Sequence, residues 1–187
     1  MPQATSVLVV CTANISRSPA VERLLRAALD DSVRIESAGV AALVGSPIDS
    51  PVADFLRQHE AGTTRFAARQ VDEQLLADAD LVLTLTRAHR SQVLELRPAI
   101  VRRTFTLLEF ARVLESVDLS GLPDDVSAGE RLRAMVPLAT AGRALAPRST
   151  TGGDDVPDPY GRGPAAYAAS LAMIAGATDV IVRLTRG

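Results

Sequence analysis

Cys11 and Arg17, separated by five residues in the stretch CTANISR, are residue types that can attack and bind a phosphate group. A cysteine thiolate is a strong nucleophile, and an arginine guanidinium can bond two phosphate oxygens at once. Cys11 is the only cysteine of the 187-residue chain, which excludes internal disulfides and cysteine-rich metal sites. The pair predicts phosphoryl transfer through cysteine; the alternative is a small buried cysteine beside a surface arginine.

The segments on either side of this pair indicate how it would be positioned. Residues 6–10, SVLVV, form an apolar, β-branched run typical of a buried parallel strand, and residues 19–29 carry apolar side chains at helical spacing. Cys11 would then lie at the carboxyl end of the strand, in a loop whose N–H groups converge at the start of a helix. Such a loop binds anions and favours a thiolate.

A second stretch, DDVPDPYG, offers the proton donor that a poor leaving oxygen needs. Asp158 stands between two prolines, which hold its backbone stiffly, and Tyr160 is a candidate pocket wall. Asp154 and Asp155 are further acids in the same stretch, but they lack this flanking context. The alternative is an ordinary Asp-Pro turn without a catalytic role.

Strand-like and helix-like segments alternate along the chain. After the first strand and helix, we predict strands at 34–39, 79–85 and 101–107, and helices from 50, at 87–96, from 108 and at 164–184. This alternation predicts an α/β fold: a three-layer sandwich with a four-stranded parallel sheet, helices on both faces and the phosphate-binding loop after the first strand.

Residues 115–153 interrupt the alternation. They are rich in Gly, Pro, Asp, Ser and Thr, and they contain a short helix-like piece at 130–135. We therefore expect a single domain over residues 1–187, with an inserted loop segment at about 115–153. A connection of that length is either functional or mobile.

The overall composition narrows the function classes. A net charge of −2 gives no reason to expect nucleic acid or an anionic membrane as a partner. The first six residues do not resemble a signal peptide, and we see no apolar run near the ~20 residues of a membrane span, so we expect a cytoplasmic protein without membrane insertion. His59 and His89 lie on charged, helix-like segments, where we predict that they face solvent rather than bind metal.

Four stretches together resemble the low-molecular-weight protein tyrosine phosphatase family. They are VCTANISRSP, ESAG, RFAARQV and PDPYG, and their order and spacing agree with that family. The stretch SAGVAALVGSPID is most similar to bacterial members that work beside tyrosine kinases in polysaccharide export. The resemblance implies a phosphotyrosine protein as substrate, with a tyrosine autokinase as one candidate, and no cofactor.

The resemblance also implies roles for single residues. Cys11 is the nucleophile that becomes phosphocysteine, and Asp158 protonates the leaving phenol and then activates water. Ser18 stabilises the thiolate, and Leu43 and Tyr160 line the substrate pocket. The phosphate is bound by the Arg17 side chain and by backbone amides of the loop residues Thr12, Ala13, Asn14, Ile15, Ser16, Arg17 and Ser18. No metal takes part.

Several positions depart from the family pattern. Ala13 stands where glycine is usual, and Ser16 stands where many members have a second cysteine that can protect the nucleophile as a disulfide. Phe66 replaces a histidine that often braces the loop asparagine, which puts the support of Asn14 in doubt. The loop around Leu43 carries no aromatic residue, so a wall for a phenyl ring is weaker there.

Two other functions fit the same loop. One is an arsenate reductase of the related fold; because the chain has one cysteine, it would need an external low-molecular-weight thiol. The other is a phospho-binding module without turnover. We expect the protein to be a monomer.

Overall fold

The computed structural model describes residues 4–123, 125–146 and 153–186. Its centre is a parallel sheet of four strands in the order β2-β1-β3-β4. The strands are β1 (Thr5–Cys11), β2 (Val33–Gly39), β3 (Leu81–Thr84) and β4 (Thr104–Thr106). The predicted four-stranded parallel sheet is thus confirmed, although β3 and β4 are shorter than the strands predicted at 79–85 and 101–107.

Helices connect the strands. They are α1 (Arg17–Ala28), α2 (Ser50–Gln58), α3 (Glu73–Asp78), α4 (Arg87–Leu96), α5 (Leu107–Leu114), α6 (Ala128–Gly142) and α7 (Pro164–Arg186), with a 3₁₀ helix at Pro98–Arg103 before β4. Helix α3 was not predicted from the sequence. It is only six residues long, and its start depends on the Asp72 carboxylate, which accepts a hydrogen bond from the Leu75 amide.

Both faces of the sheet are covered, because alternate side chains of a strand point to opposite faces. In β1, Val7 and Val9 join the larger core, which includes side chains from α1, α2, α5, α6 and α7. Leu8 and Val10 join a smaller core with α3, α4 and the 3₁₀ helix. With one core on each face of the sheet, the molecule has the predicted three layers. Packing on both faces holds the strands in place, and with them the loops that follow their carboxyl ends.

The strand order places a crevice beside the end of β1. The chain leaves β1 toward β2 on one side, and β3 lies on the other side, so the connections diverge at this point. In parallel α/β sheets, ligands bind at the carboxyl ends of strands where the order reverses in this way. Cys11 is the last residue of β1 and therefore lies at that point.

The segment expected to be an inserted loop contains the 15-residue helix α6, much longer than the predicted piece at 130–135. A capping box starts it: the Ser127 hydroxyl accepts from the Glu130 amide, and the Glu130 carboxylate accepts from the Ser127 amide. Five of its apolar side chains enter the larger core; they are Ala128, Leu132, Met135, Val136 and Ala139. Residues 124 and 147–152 of the expected insertion lie outside the described residues.

Helix α7 is long and apolar enough, by length and composition alone, to cross a membrane, so the expectation that no apolar run approaches the length of a span is wrong. In the folded chain one side of it is buried against α1, α2, α5 and α6. Its Leu171, Ile174 and Ile181 belong to the larger core. Such a helix is also what the core of an α/β domain requires.

Candidate active site

The loop after β1 offers a set of unused hydrogen-bond donors. In the described structure, the backbone amides of residues 12–18 donate to no other protein group. Helix α1 begins at Arg17, so the positive end of its dipole points to the same place. The Cys11 Sγ lies 3.0 Å from the Ser18 Oγ at the base of this loop. The arrangement is a concave anion site with a thiol beneath it.

Asn14 holds the loop in shape. Its φ of 56° is in the left-handed region, which asparagine tolerates better than most residues. Its Nδ2 donates to Ser18 Oγ and to Ser37 Oγ, each at 2.9 Å, and its Oδ1 accepts from the Arg69 amide at 2.9 Å. Ser37 donates in turn to the buried Glu22 carboxylate.

Two departures from the family pattern are therefore accommodated. The support of Asn14 does not depend on a histidine at position 66, because Ser37 and Arg69 supply it. Phe66 instead lies under the guanidinium of Arg23, 5.5 Å from its ring centre. Ala13 does not have a positive φ, so the missing glycine causes no backbone strain.

Arg17 is brought to the mouth of the loop, as the spacing predicted. Its side chain is only 4% exposed. Its Nη1 donates to the carbonyl of Val156 at 3.1 Å, and its Nη2 donates to Thr12 Oγ1 at 3.2 Å and to Asp158 Oδ2 at 2.6 Å. The buried guanidinium charge is thereby paired with the carboxylate of the candidate proton donor.

The segment that carries Asp158 is tied to three elements. Asp154 accepts from two nitrogens of Arg112 of α5: Nε donates to Oδ1 at 3.3 Å, and Nη2 lies 3.1 Å from Oδ1 and 3.0 Å from Oδ2. Asp155 accepts from the Arg87 amide at the start of α4, and the Val156 amide donates to the Leu85 carbonyl at the end of β3. Asp154 and Asp155 therefore hold this segment in place, and among the described residues that line the cavity only Asp158 is acidic.

A cavity of about 180 Å³ lies at the loop. Among the described residues its lining consists of Cys11, Thr12, Ala13, Ile15, Ser16, Arg17, Asp158 and Tyr160. Tyr160 is 58% exposed, so it stands at the rim. Leu43 is not among these lining residues; its amide donates to the Ala13 carbonyl and its side chain is half exposed. A pocket role for Leu43 remains a prediction.

His89 corrects the prediction that both histidines face solvent. It is 5% exposed, and its Nε2 lies 2.8 Å from Thr12 Oγ1. Burial, and next the charge of Arg17, lower the pKa of His89 to about 4. A sequence signal was available: Thr86 caps α4, and His89 and Val93 share one buried face at helical spacing. His59 is exposed, as predicted.

The sequence profile of the family described as "Low molecular weight phosphotyrosine protein phosphatase" matches residues 6–136. The chain belongs to this family. Among named relatives, it is 39% identical over 99 residues to the low molecular weight protein-tyrosine-phosphatase Etp of Escherichia coli K12, covering 53% of this chain and 66% of Etp. It is 35% identical over 104 residues to the probable low molecular weight protein-tyrosine-phosphatase EpsP of Ralstonia nicotianae, covering 56% and 71%.

Solved structures of the family share the fold over nearly the whole chain. The low molecular weight protein tyrosine phosphatase of T. tengcongensis is 26% identical, with a TM-score of 0.69 over 96% of this chain and 99% of its own. The sequence match to Etp spans just under two thirds of that relative. Among the described residues, no cluster of three or more histidine, cysteine or acidic side chains could hold a metal ion.

Proposed function

We propose that this protein is a protein-tyrosine phosphatase that hydrolyses phosphotyrosine through a phosphocysteine intermediate. One observation carries the proposal: a thiol, a set of unused backbone amides, a buried guanidinium and a carboxylate face one small cavity. Phosphoryl transfer requires positioning and charge stabilisation more than bond-making by the protein, and these groups supply both.

In the first step, the Cys11 thiolate attacks phosphorus while the bond to the phenol oxygen breaks. The loop amides and Arg17 bind the three equatorial oxygens as negative charge spreads over them. Asp158 gives its proton to the departing phenol oxygen, which would otherwise leave as a poor phenolate. The Ser18 hydroxyl, 3.0 Å from Sγ, donates to the thiolate; its oxygen already accepts from the Asn14 amide.

In the second step, water attacks the phosphocysteine. The Asp158 carboxylate takes a proton from that water, the phosphorus–sulfur bond breaks, and inorganic phosphate leaves with the thiolate restored. The 2.6 Å contact between Asp158 and Arg17 must loosen before the first step, because the substrate phosphate competes for the same guanidinium. The Arg17 guanidinium thus exchanges the Asp158 carboxylate for the substrate phosphate and has a negatively charged partner in both states.

The substrate we propose is a phosphotyrosine side chain on a protein, with a bacterial tyrosine autokinase or a related polysaccharide-export protein as the candidate partner. The cavity is small, its wall includes the apolar side chain of Ile15, and Tyr160 stands at its rim. An aryl ester could lie between these two side chains with its phosphate on the loop. A reducing compartment, the cytoplasm, suits a nucleophile that must stay a thiolate.

We also propose that residues 1–187 act as one catalytic domain and as a monomer. Helix α6 supports the single-domain proposal, because its apolar side enters the same core as β1 and α7. Sedimentation of the full chain at micromolar concentration tests the oligomeric state, and a dimer mass would contradict it.

The deciding experiment is turnover of p-nitrophenyl phosphate and of phosphotyrosine peptides by the full chain, with arsenate reduction in the presence of an added small thiol measured in parallel. Cys11→Ser should abolish hydrolysis but retain phosphate binding, because the amides and Arg17 remain. Acid quenching of the wild type should trap phosphate on Cys11. Arsenate reduction without ester hydrolysis would assign the reductase function, and phosphopeptide binding without turnover would assign a binding module.

A further inference from the structure

The Thr12 side chain makes contacts that are not needed for the proposed role of its backbone amide in phosphate binding. Its hydroxyl oxygen has two nitrogen neighbours, His89 Nε2 at 2.8 Å and Arg17 Nη2 at 3.2 Å. The residue also lines the cavity next to Cys11. The side chain of Thr12 therefore stands between a buried histidine and the phosphate site.

The direction of these hydrogen bonds follows from donor counting. Arginine can only donate, so the Thr12 oxygen accepts from Arg17. A neutral imidazole carries one proton, on either Nε2 or Nδ1. The Nδ1 atom of His89 is buried and has no hydrogen-bond partner among the described residues. A proton there would leave a buried N–H unsatisfied, which costs more than an unpaired acceptor, so the proton belongs on Nε2.

We infer that His89 and Arg17 together occupy both acceptor positions of the Thr12 hydroxyl, so that its own proton is directed into the cavity as a donor to the substrate phosphate. An sp³ hydroxyl has two lone pairs and one proton, and two N–H donors leave only the proton for another partner. Thr12 is then a phosphate-binding side chain, and His89 is a positioning residue that acts through it.

The charge state of His89 fits this arrangement. Burial, with the nearby Arg17 charge as the second cause, lowers the pKa of His89 to about 4, whereas Asp158 and Asp155 raise it by less. The ring is therefore neutral at physiological pH, with a single N–H. The inference depends on the proposed function only in taking this cavity as the phosphate site.

Nuclear magnetic resonance can read the tautomer directly, because the chain has only two histidines. Long-range ¹⁵N–¹H correlation of the wild type at neutral pH should show His89 protonated at Nε2 and unprotonated at Nδ1. Exposed His59 provides the internal reference. A His89 protonated at Nδ1 would reverse the hydrogen bond to Thr12 and overturn the inference.

Inorganic phosphate binding, measured by calorimetry, tests the donor. Thr12→Val should weaken it about 10- to 100-fold, the usual effect of losing one hydrogen bond to a charged group, while Thr12→Ser should stay near the wild type. His89→Phe should weaken it about 3- to 10-fold, and His89→Gln, which retains an N–H donor, should recover most of the loss. His59→Phe is the matched control and should change nothing.

A double-mutant cycle separates this role from simple support of Arg17. If Thr12 only held the guanidinium, His89→Phe would leave phosphate affinity unchanged, and that result would overturn the inference. We expect instead that His89→Phe costs affinity in the wild type but none in the Thr12→Val background. If His89→Phe fails to fold, the His89 tautomer of the wild type and the phosphate affinities of Thr12→Val and Thr12→Ser still test the inference.

The same data distinguish this inference from the proposed function. A wild type that binds phosphate but hydrolyses no aryl phosphate refutes the phosphatase proposal and leaves the Thr12 test intact. A wild type that hydrolyses phosphotyrosine while Thr12→Val binds phosphate normally retains the phosphatase proposal and removes Thr12 from the site.

Discussion

At the scale of single residues, the pairing of Arg17 with Asp158 is the most informative contact of the site. The guanidinium is almost wholly buried, whereas the carboxylate is 41% exposed. A buried cation needs a partner, and the more exposed carboxylate is the one that can move away at little cost. The proposed proton donor therefore occupies part of the space that we propose for the phosphate.

Asp158→Asn should consequently have two opposite effects. Hydrolysis of tyrosine phosphate should fall by about 10²- to 10⁴-fold, the usual contribution of a positioned acid, and activated aryl phosphates should be affected much less. Phosphate should bind more tightly, because a negative charge has been removed from beside the anion site. Steady-state kinetics on esters of graded leaving-group pKa, with phosphate as inhibitor, measures both.

Asp155 provides the comparison for that experiment. It lies in the same segment but accepts from the Arg87 amide and does not touch Arg17. Asp155→Asn should therefore leave the leaving-group dependence as it is in the wild type. If the dependence changed with Asp155 and not with Asp158, the acid would be assigned wrongly.

At the scale of the elements, helix α5 explains how the segment of Asp158 reaches the loop. Arg112 donates hydrogen bonds to the Asp154 carboxylate from Nε and Nη2, and both side chains are about three-quarters buried. A two-donor contact fixes orientation as well as distance. The anchor lies four residues before Asp158, so its loss should widen the range of positions that the acid can take.

Arg112→Met retains the stem of the side chain but removes this contact. We expect kcat to fall about threefold to tenfold, with an unchanged inhibition constant for phosphate, because the phosphate loop is not touched. Arg183→Met removes the exposed ion pair with Glu115 and is the matched control. Equal kcat in the two variants would show that the anchor does not position the acid.

Helix α6 meets the opposite end of the sheet, and Gly129 makes that contact. Its amide donates to Ser32 Oγ and its carbonyl accepts from Thr5 Oγ1 at the start of β1. A Cβ on Gly129 would lie 2.3 Å from the backbone oxygen of Ser32, a distance that requires the helix to move. The seven residues of β1, about 20 Å long, separate this contact from Cys11 at the other end of the strand.

Gly129→Ala should therefore lower the free energy of unfolding by about 1–3 kcal/mol without changing kcat at 25 °C. Gly176→Ala, in α7, is the matched control: beyond its own stretch of helix, no atom lies within 4 Å of the place that a Cβ would take. It should raise stability by about 0.5–1 kcal/mol, because alanine is the better helix former. Urea denaturation measures both, and equal stability of the two variants would mean that α6 does not dock through Gly129.

At the scale of the whole molecule, local patterns predicted the sheet and the loop because both depend on short stretches. The apolar run at residues 6–10 makes up most of the seven-residue strand β1, and the spacing of Cys11 and Arg17 is set by one turn and one helix start. The burial of His89 could have been read from its helical spacing with Val93, but its contact with Thr12 could not, because Thr12 lies far away in the sequence. Helix α6 was underestimated because glycine and proline in its sequence concealed a capping box and a buried face.

The number of cysteines leads to a prediction about the whole chain. Oxidation of Cys11 by peroxide gives a sulfenic acid, which a second thiol would normally capture as a disulfide. Ser16 stands at the neighbouring loop position, and the sequence contains no other thiol. Without an internal partner, the sulfenic acid should proceed to sulfinic acid, which ordinary reductants do not reverse.

Brief exposure to peroxide should thus remove the proposed phosphatase activity in a way that dithiothreitol only partly reverses, and prolonged exposure should make the loss permanent. Added glutathione during exposure should protect Cys11 from irreversible oxidation, since it forms a mixed disulfide that reductant later cleaves.

Ser16→Cys tests the cause, because a thiol placed there can capture oxidised Cys11 as a disulfide, so that reductant should recover most of the activity. Mass spectrometry of the Cys11 peptide separates sulfinic acid from disulfide. Full recovery of the wild type after prolonged peroxide without added thiol would show that something else protects the sulfenic acid.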